Sequence, residues 1–400
     1  MNESNPKGNP GPLKDVKILD LTRALAGPTC TMILADMGAD TIKVEQPPGR
    51  NSREESGPGP SASPQPVNRN KKSITLNLHS EKARDIFPRL VRWADVVVEN
   101  YRPGFMKRIG FDYPKMKAIN PRVILTSISG YGQTGPYSQR AAFDSVGQAM
   151  GGLMSVTGPA DLPPMDAGAA IADISAGIFG ALGTALALYH QKSTGLGQHV
   201  DASLVESIVN LMAFNLQLHN NGNAPEKGAL FSPKRTPGAG MFLTKDGVNI
   251  IIMAQSDQHW PILARLIGRD DLAANPEYTV RNKRANHGDE ICELITPWVR
   301  SQPIDEVEST LDSAGIPFGR VQSLEDLLVD PHLKARKCFM EYEHLGKLFP
   351  MMAPYPILSE TPGSVRTLWP IIGQHNEEIY HHLLGFSMKE LDTFRSEGAI

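Results

Sequence analysis

The sequence predicts an α/β protein in two parts: a large domain built on a doubly wound parallel sheet, then a smaller α+β domain. Three observations carry that prediction. Short apolar runs alternate with helical stretches over the first half of the chain, the arrangement that builds parallel β-α-β units. The composition then shifts over Asn220–Gly240, a connection rich in Gly, Pro and Asn. Past it, Asp246-Gly247 stands between two apolar runs, a hairpin signal because glycine takes positive φ without steric cost.

The chain opens with MNESNPKGNPGPLK, polar and rich in Pro and Gly, and residues 1–15 read as a mobile arm. This stretch has neither the apolar core of a secretory signal nor the Arg-rich pattern of a transit peptide. Val16–Leu21 reads as the first strand. Gly27-Pro28 then precedes the helical stretch Thr29–Met37, since proline suits a first helical turn, and Gly38 ends it. Thr41–Glu45 reads as the second strand. The pattern repeats with helix Ser80–Trp93 and strand Asp95–Glu99, then helix Pro114–Ile119 and strand Arg122–Ile128. A Rossmann-like large domain over residues 16–222 follows. The apolar segment Ala169–Tyr189, a turn at Gly195–Gly197, a strand at Gln198–Ala202 and an amphipathic helix at Leu204–Leu218 complete it. In the smaller domain, residues 223–328, Met241–Thr244 and Val248–Met253 flank the hairpin turn. Ser256–Ile267, Asn282–Arg300 and Ile304–Ala314 read as its helices. Residues 329–400 are a Pro-punctuated tail ending in the polar helical segment Glu377–Leu384.

Composition narrows the function. A net charge of -3, with 40% hydrophobic and 21% charged residues, supplies no basic field for nucleic acid, so small molecules are the expected ligands. Cys30, Cys292 and Cys338 are too few and too far apart for a disulfide framework or a thiolate cluster, which fits a cytoplasmic protein. No HExxH occurs, and His381-His382 would face two directions on a helix, so no metal site is expected. No GxGxxG follows the first strand, and neither GxxxxGK[ST] nor GxSxG is present. The usual cradles for dinucleotides and nucleoside triphosphates and the serine-hydrolase elbow are therefore missing.

Asp173 is the one charged side chain between Ala169 and Tyr189, in AAIADISAGIFGALGTALALY. A carboxylate in such surroundings costs desolvation free energy unless it is paired or used in chemistry. Two readings stand side by side: a nucleophile, or a cap on the exposed N–H groups of the helix it opens. The segment has the length of a membrane span, but Gly177, Gly180 and Gly183 dilute its hydrophobicity and patterned globular sequence flanks it, so no membrane association is expected. Residues Gln46–Lys72 carry Arg50, Arg53, Arg69, Lys71 and Lys72 in a Pro-, Gly- and Ser-rich setting. Either a solvated loop or a phosphate-binding one fits. Ser129–Pro136, SGYGQTGP, follows a strand, and open α/β sheets receive ligands at the carboxyl ends of their strands.

VKILDLTRALAGP at Val16–Pro28, GADTIKVEQP at Gly38–Pro47, NRNKKSITLNL at Asn68–Leu78, VVVENYRPG at Val96–Gly104, SGYGQTGPYSQRAAFD at Ser129–Asp144 and GQHVDASL at Gly197–Leu204 form an ordered set. Together they resemble the family III CoA-transferases (CaiB/BaiF type). The likeness runs from Val16 to about Gly385 and is closest to the branch that includes succinate–hydroxymethylglutarate CoA-transferase.

The resemblance implies that Asp173, in Gly168–Asp173, attacks an acyl-CoA thioester, forms a mixed anhydride and then carries CoA as an aspartyl thioester. A helix N-terminus would hold that carboxylate ionised while an apolar pocket would raise its pKa, so the two influences oppose each other. The CoA contacts it implies are Arg23, Ala24, Lys72, Asn100, Tyr101, Arg108 and Arg140, with cations on phosphates and Tyr101 against adenine. CoA thioesters enter as substrates, with no permanently bound cofactor; succinyl-CoA is the expected donor and a carboxylic or dicarboxylic acid the acceptor. Gln46 stands where some relatives have arginine, and Pro237–Gly240 shortens the glycine loop of oxalate-using members. The resemblance also implies ring-like protomers in an interlocked homodimer, residues 329–400 returning to the large domain, with a heteromer as the alternative. Two rival functions share the fold. An α-methylacyl-CoA racemase would need a histidine where this chain has Phe143, and a silent CoA-binding subunit would not need Asp173.

Overall fold

The computed structural model describes residues 11–48, 66–222, 227–228, 235–344 and 347–400. Most of the expected arm, Arg50, Arg53 and much of the Asn220–Gly240 connection lie outside them. The chain packs into two compact units, one of Met1–Met154, Asp166–Phe214 and Met340–Ile400, the other of Ser155–Met165 and Asn215–Phe339.

The first unit is built on six strands: β1 (Lys17–Asp20), β2 (Asp40–Glu45), β3 (Lys71–Thr75), β4 (Val96–Glu99), β5 (Ile124–Ser129) and β6 (His199–Ser203). They lie in the order β3-β2-β1-β4-β5-β6, and every pairing is parallel. The order reverses between β1 and β4, as the doubly wound reading requires. Runs such as VVVE and ILTSIS are buried throughout because both faces of the sheet are covered. The helices are α1 (Ala26–Asp36), α2 (Ala83–Trp93), α3 (Phe105–Arg108), α4 (Tyr113–Ile119), α5 (Asp144–Met150), α6 (Leu153–Val156), α7 (Ile171–Thr194) and α8 (Leu204–Leu211). Ile86, Phe87, Leu90 and Met116 of α2 and α4 pack with Leu19, Ile42, Val97 and Leu125 on one face. On the other face α7 meets the sheet through the Thr126–Thr184 hydroxyl pair, 2.7 Å apart.

The structure corrects several expectations. Arg69, Lys71 and Lys72 do not belong to a phosphate-binding loop. The Thr- and Ile-bearing run KKSIT pairs with β2 as a strand, which turns Lys71 into the fold and leaves Lys72 on the opposite face. Arg69 is buried against Asp36 at 2.6 Å, and Lys71 against Asp20 at 3.0 Å. The expected helix Leu204–Leu218 breaks at Met212 into α8 and a second helix, Ala213–Asn220. Helices also begin a few residues away from expectation, α1 three residues early and α2 three late.

The C-terminal segment lies along the open edge of β3. His375 Nδ1 accepts the Ser73 N–H at 3.0 Å, Asn376 Oδ1 accepts the Thr75 N–H at 2.8 Å, and the Tyr380 hydroxyl donates to the Thr75 carbonyl at 2.6 Å. An edge that would otherwise present unpaired backbone groups is thereby covered.

In the second unit, β7 (Ala239–Leu243), β8 (Asn249–Met253) and β9 (Phe318–Arg320) form an antiparallel sheet, with Gly247 at φ 81° in the expected hairpin turn. Helices Gly288–Arg300 and Ile304–Ser313 pack Ile291, Ile295, Val307 and Leu311 against it. The expected Asn282–Arg300 helix is interrupted by a 3-10 turn at Ala285–His287, beside the buried Arg284 whose guanidinium donates to the Tyr278 and Gln255 carbonyls. β9 has three residues, too few for a legible alternation.

The glycines of α7 explain its composition. A Cβ on Gly177 would stand 2.7 Å from the Ala26 carbonyl oxygen, and one on Gly180 would stand 2.8 Å from Ile128 Cδ1. Close approach of helix to helix and helix to sheet requires both. This glycine-bearing face packs α7 onto α1 and the sheet, although the helix's length and composition would also suit a membrane span. Gly177→Ala is expected to cost about 1–2 kcal/mol, overpacking outweighing the gain in helix propensity. Gly180→Ala should cost less, because the end of Ile128 can move. Thermal denaturation of the two variants tests that ranking, and equal stabilities would contradict it.

Candidate active site

The loop between β1 and α1 is held by buried charges. Asp20 Oδ1 accepts the Thr22 N–H at 2.8 Å and its hydroxyl at 2.6 Å, while Lys43 donates to the Thr22 carbonyl at 2.8 Å. Burial pushes the Asp20 carboxyl up, but Lys43 and Lys71 outweigh it and hold the group well below the usual carboxylate range. Next in the chain, Arg23 has its peptide groups bracketed by Asn100: Oδ1 accepts the Arg23 N–H and Nδ2 donates to its carbonyl, both at 2.8 Å. Ala24 follows at φ 56°, a left-handed conformation that non-glycine residues adopt at a cost and that gathers at ligand-binding turns.

Around this loop stands a shelf of rings and cations. The Arg23 guanidinium lies 5.5 Å from the Tyr101 ring centre, and Tyr101 stacks on Phe105 at 4.2 Å. His79 meets Phe105 edge-on at 5.6 Å, and Arg108 lies 5.6 Å from the same ring. These residues follow the carboxyl ends of β1, β3 and β4, where open sheets take ligands. The structure thus brings together Arg23, Ala24, Asn100, Tyr101 and Arg108, and adds His79 and Phe105.

Lys72 does not join them. It pairs with Asp40 at 3.4 Å and Glu378 at 3.1 Å, and Asp40 opens β2 at the amino edge of the sheet. Alternation along β3 is the reason: its neighbour Lys71 points into the Asp20 cluster, so Lys72 points the other way. The Arg140 guanidinium lies 3.7 Å from the Tyr137 ring centre in the loop after β5.

Asp173 opens α7. Gly177, Gly180 and Gly183 meet Ala26, Ile128 and Val200 in turn, so the helix starts at the carboxyl edge of the sheet and descends. The capping reading is overturned by Asp144, at the start of α5. Its Oδ1 accepts the N–H groups of Ala172 and Asp173 at 2.8 and 2.9 Å and neutralises the helix terminus from outside. Gln148 braces it, donating to Asp144 and to the Ala169 carbonyl. Among the described residues, no hydrogen bond or ion pair engages the Asp173 carboxylate. Burial, with the like charge of Asp144 adding to it, pushes this carboxyl up to about 6. Such a group is ionised at neutral pH yet poorly solvated, which suits a nucleophile.

Asp144 was invisible as a cap because its reach spans 28 and 29 residues. Asp144→Asn is expected to retain most of the cap while removing the charge. The midpoint of the pH–rate profile should then move below that of the wild type, and an unmoved midpoint would show that Asp144 does not tune Asp173.

Pro237–Gly240 runs directly into β7, with Gly238 at φ 92°. Phe143 is 76% exposed at the N-terminus of α5 and carries no group that transfers protons. Among the described residues, no set of three His, Cys, Asp or Glu side chains is arranged to hold a metal ion.

Comparison with known proteins agrees with this geometry. The signature of CoA-transferase family III matches residues 13–376. The chain is 36% identical to succinyl-CoA–D-citramalate CoA-transferase of Chloroflexus aurantiacus, over 98% of each chain. It is 32% identical to the beta subunit of succinyl-CoA–L-malate CoA-transferase of the same organism, over 97% of this chain and 98% of that one. A solved CaiB/BaiF family protein from Brucella suis superposes with a TM-score of 0.81 at 31% identity, covering 94% of this chain and all of that one. With the signature and full-length relatives in agreement, the chain belongs to CoA-transferase family III, enzymes that move CoA between acyl-CoA thioesters and acids.

Proposed function

We propose that this enzyme moves CoA from succinyl-CoA to a dicarboxylic acid through covalent intermediates on Asp173. One observation carries the mechanism: Asp144 already caps α7, which leaves the Asp173 carboxylate uncommitted in a desolvated setting. The carboxylate adds to the thioester carbonyl, the C–S bond breaks and CoA thiolate leaves a mixed anhydride. The thiolate then attacks the aspartyl carbonyl, expelling the first acid and leaving an aspartyl-CoA thioester. The second acid repeats these steps in reverse, regenerating the carboxylate and a new acyl-CoA. Backbone N–H groups supply the oxyanion contacts each addition needs.

Arg23, Tyr101, Phe105, His79 and Arg108 are the acyl-CoA shelf in this reading, cations for phosphates and rings for adenine. The succinyl donor rests on the names of the two Chloroflexus relatives. Phe143 argues against racemisation, which requires a second proton-transfer group at that position. A dimer is supported by an exposed apolar stripe on α7, where Ile174, Ile178, Leu182, Leu186 and Tyr189 are 41 to 79% exposed at helical spacing. A homodimer is the preferred arrangement; a relative described as a beta subunit keeps the heteromer as the alternative. The free thiols Cys30, Cys292 and Cys338 support a cytoplasmic setting.

Incubation of the chain, purified alone, with succinyl-CoA and hydroxylamine is the test. Digestion should yield the peptide containing Asp173 as its hydroxamate, and a matrix of acids read by mass spectrometry should identify the acceptor. Rapid turnover with that peptide unmodified would sink the covalent route. No turnover with any acid would favour the silent-subunit reading.

A further inference from the structure

Glu99 ends the strand VVVE with its side chain 3% exposed, and no ion pair engages it among the described residues. A buried carboxyl group without a cation costs folding free energy, so its contacts are informative. Its Oε2 accepts the Tyr101 N–H at 2.8 Å, and it stands directly opposite Ser127 of β5 in register. Ser127 Oγ in turn lies 2.9 Å from His199 Nε2 on β6. The Glu99 carboxyl group therefore holds the backbone of the turn that follows its own strand. Tyr101 carries the ring on which Arg23 lies, and its neighbour Asn100 brackets the Arg23 backbone.

We propose that Glu99 is a positioning residue for acyl-CoA: its buried carboxyl group ties the Asn100–Tyr101 turn to the end of β4 and so sets where the Arg23–Tyr101–Phe105 shelf stands. This rests on the reading of that shelf as the acyl-CoA contact.

The surroundings favour the neutral acid. Burial, opposed by the neighbouring Ser127 hydroxyl and the Tyr101 N–H and aided by the like charge of Asp201 on β6, pushes Glu99 up to about 7. His199, on the same edge strand, is held below its usual value by burial and brings no firm positive charge. Asp20, Lys43 and Lys71 lie across the sheet: Asp20 is in register with Val98, whose side chain points away from that of Glu99. Ionisation at higher pH places a second negative charge beside Asp201 in a dry site. Movement of the turn to admit water relieves it. The acyl-CoA KM should therefore rise as pH passes about 7.

The experiment measures kcat and acyl-CoA KM from about pH 6 to about pH 9 for wild type, Glu99→Ala, Glu99→Gln, Tyr101→Ala and Arg23→Ala. Glu99→Ala is expected to raise KM about tenfold, the scale of a lost buried hydrogen bond, with kcat little changed. Glu99→Gln, which keeps the shape and cannot ionise, should restore a low KM and remove its pH dependence. An unchanged KM in Glu99→Ala beside raised values in Tyr101→Ala and Arg23→Ala overturns the proposal alone. So does a wild-type pH dependence in Glu99→Gln, which also covers failure of the alanine variant to fold. Unchanged KM in Tyr101→Ala and Arg23→Ala overturns the shelf reading and this proposal with it.

Discussion

Asp173→Asn is expected to lower kcat by at least about 10⁴-fold while leaving CoA affinity unchanged, because amide nitrogen and oxygen cannot form the anhydride and thioester on which exchange depends. In the wild type, kcat should rise with pH through about 6, where the carboxyl group ionises, and then level off. The same substitution should stabilise the protein. The folded-state pKa of Asp173 lies above its unfolded value, so the native state binds the proton more tightly and stability falls as pH rises from about 4 to about 6. Above that range the full penalty is present. Asparagine removes it, for a gain on the order of 1 kcal/mol once solvent screening of this partly exposed group is allowed for. Below about pH 4 the gain should vanish, since both states then carry the proton. Turnover at wild-type rate in the asparagine variant would end the nucleophile assignment. A variant less stable than wild type at neutral pH would show that Asp173 serves the fold.

The second large effect is expected at Asp20→Leu, with a loss of about 3–5 kcal/mol. One buried carboxylate faces two buried ammonium groups, Lys71 at 3.0 Å and Lys43 at 3.7 Å, and its removal leaves both without a counter-charge. Burial, with Lys43 adding to it, pulls Lys71 down to about 8 despite the attraction of Asp20, as expected where one anion serves two cations. Lys71→Met should therefore cost much less than Asp20→Leu, since Asp20 keeps Lys43. Because the folded-state pKa of Asp20 is depressed, its contribution is present at neutral pH and is lost as pH falls below the ordinary carboxylate range. Urea unfolding of both variants at neutral pH decides the ranking. The Asp20 variant should also bind acyl-CoA less tightly, because the Thr22 contacts that hold the Arg23 loop disappear.

Much of this was legible in the sequence. Parallel β-α-β order could be read because Val16–Leu21, Thr41–Glu45, Asp95–Glu99 and Arg122–Ile128 are apolar runs spaced by helices. Asp173 could be read because a lone charge in an apolar helix is conspicuous. β3 was hidden, since KKSIT looks like the end of a cationic loop until β2 offers it a partner. His79, Phe105 and Asp144 carried no local signal, for each owes its role to a residue on another element.

Local spacing and residue type determined the sheet-building elements, the family and the side chain singled out for chemistry, because periodicity and desolvation cost act along the chain. Tertiary packing decided how the charges divide: Lys71 into a buried cluster, Lys72 to the far edge, Arg23 onto Tyr101. It also decided that Asp144 caps the helix while Asp173 stays uncommitted. The physical reason is distance. A carboxylate is committed by whichever donors come within about 3 Å, and those donors are set by the fold.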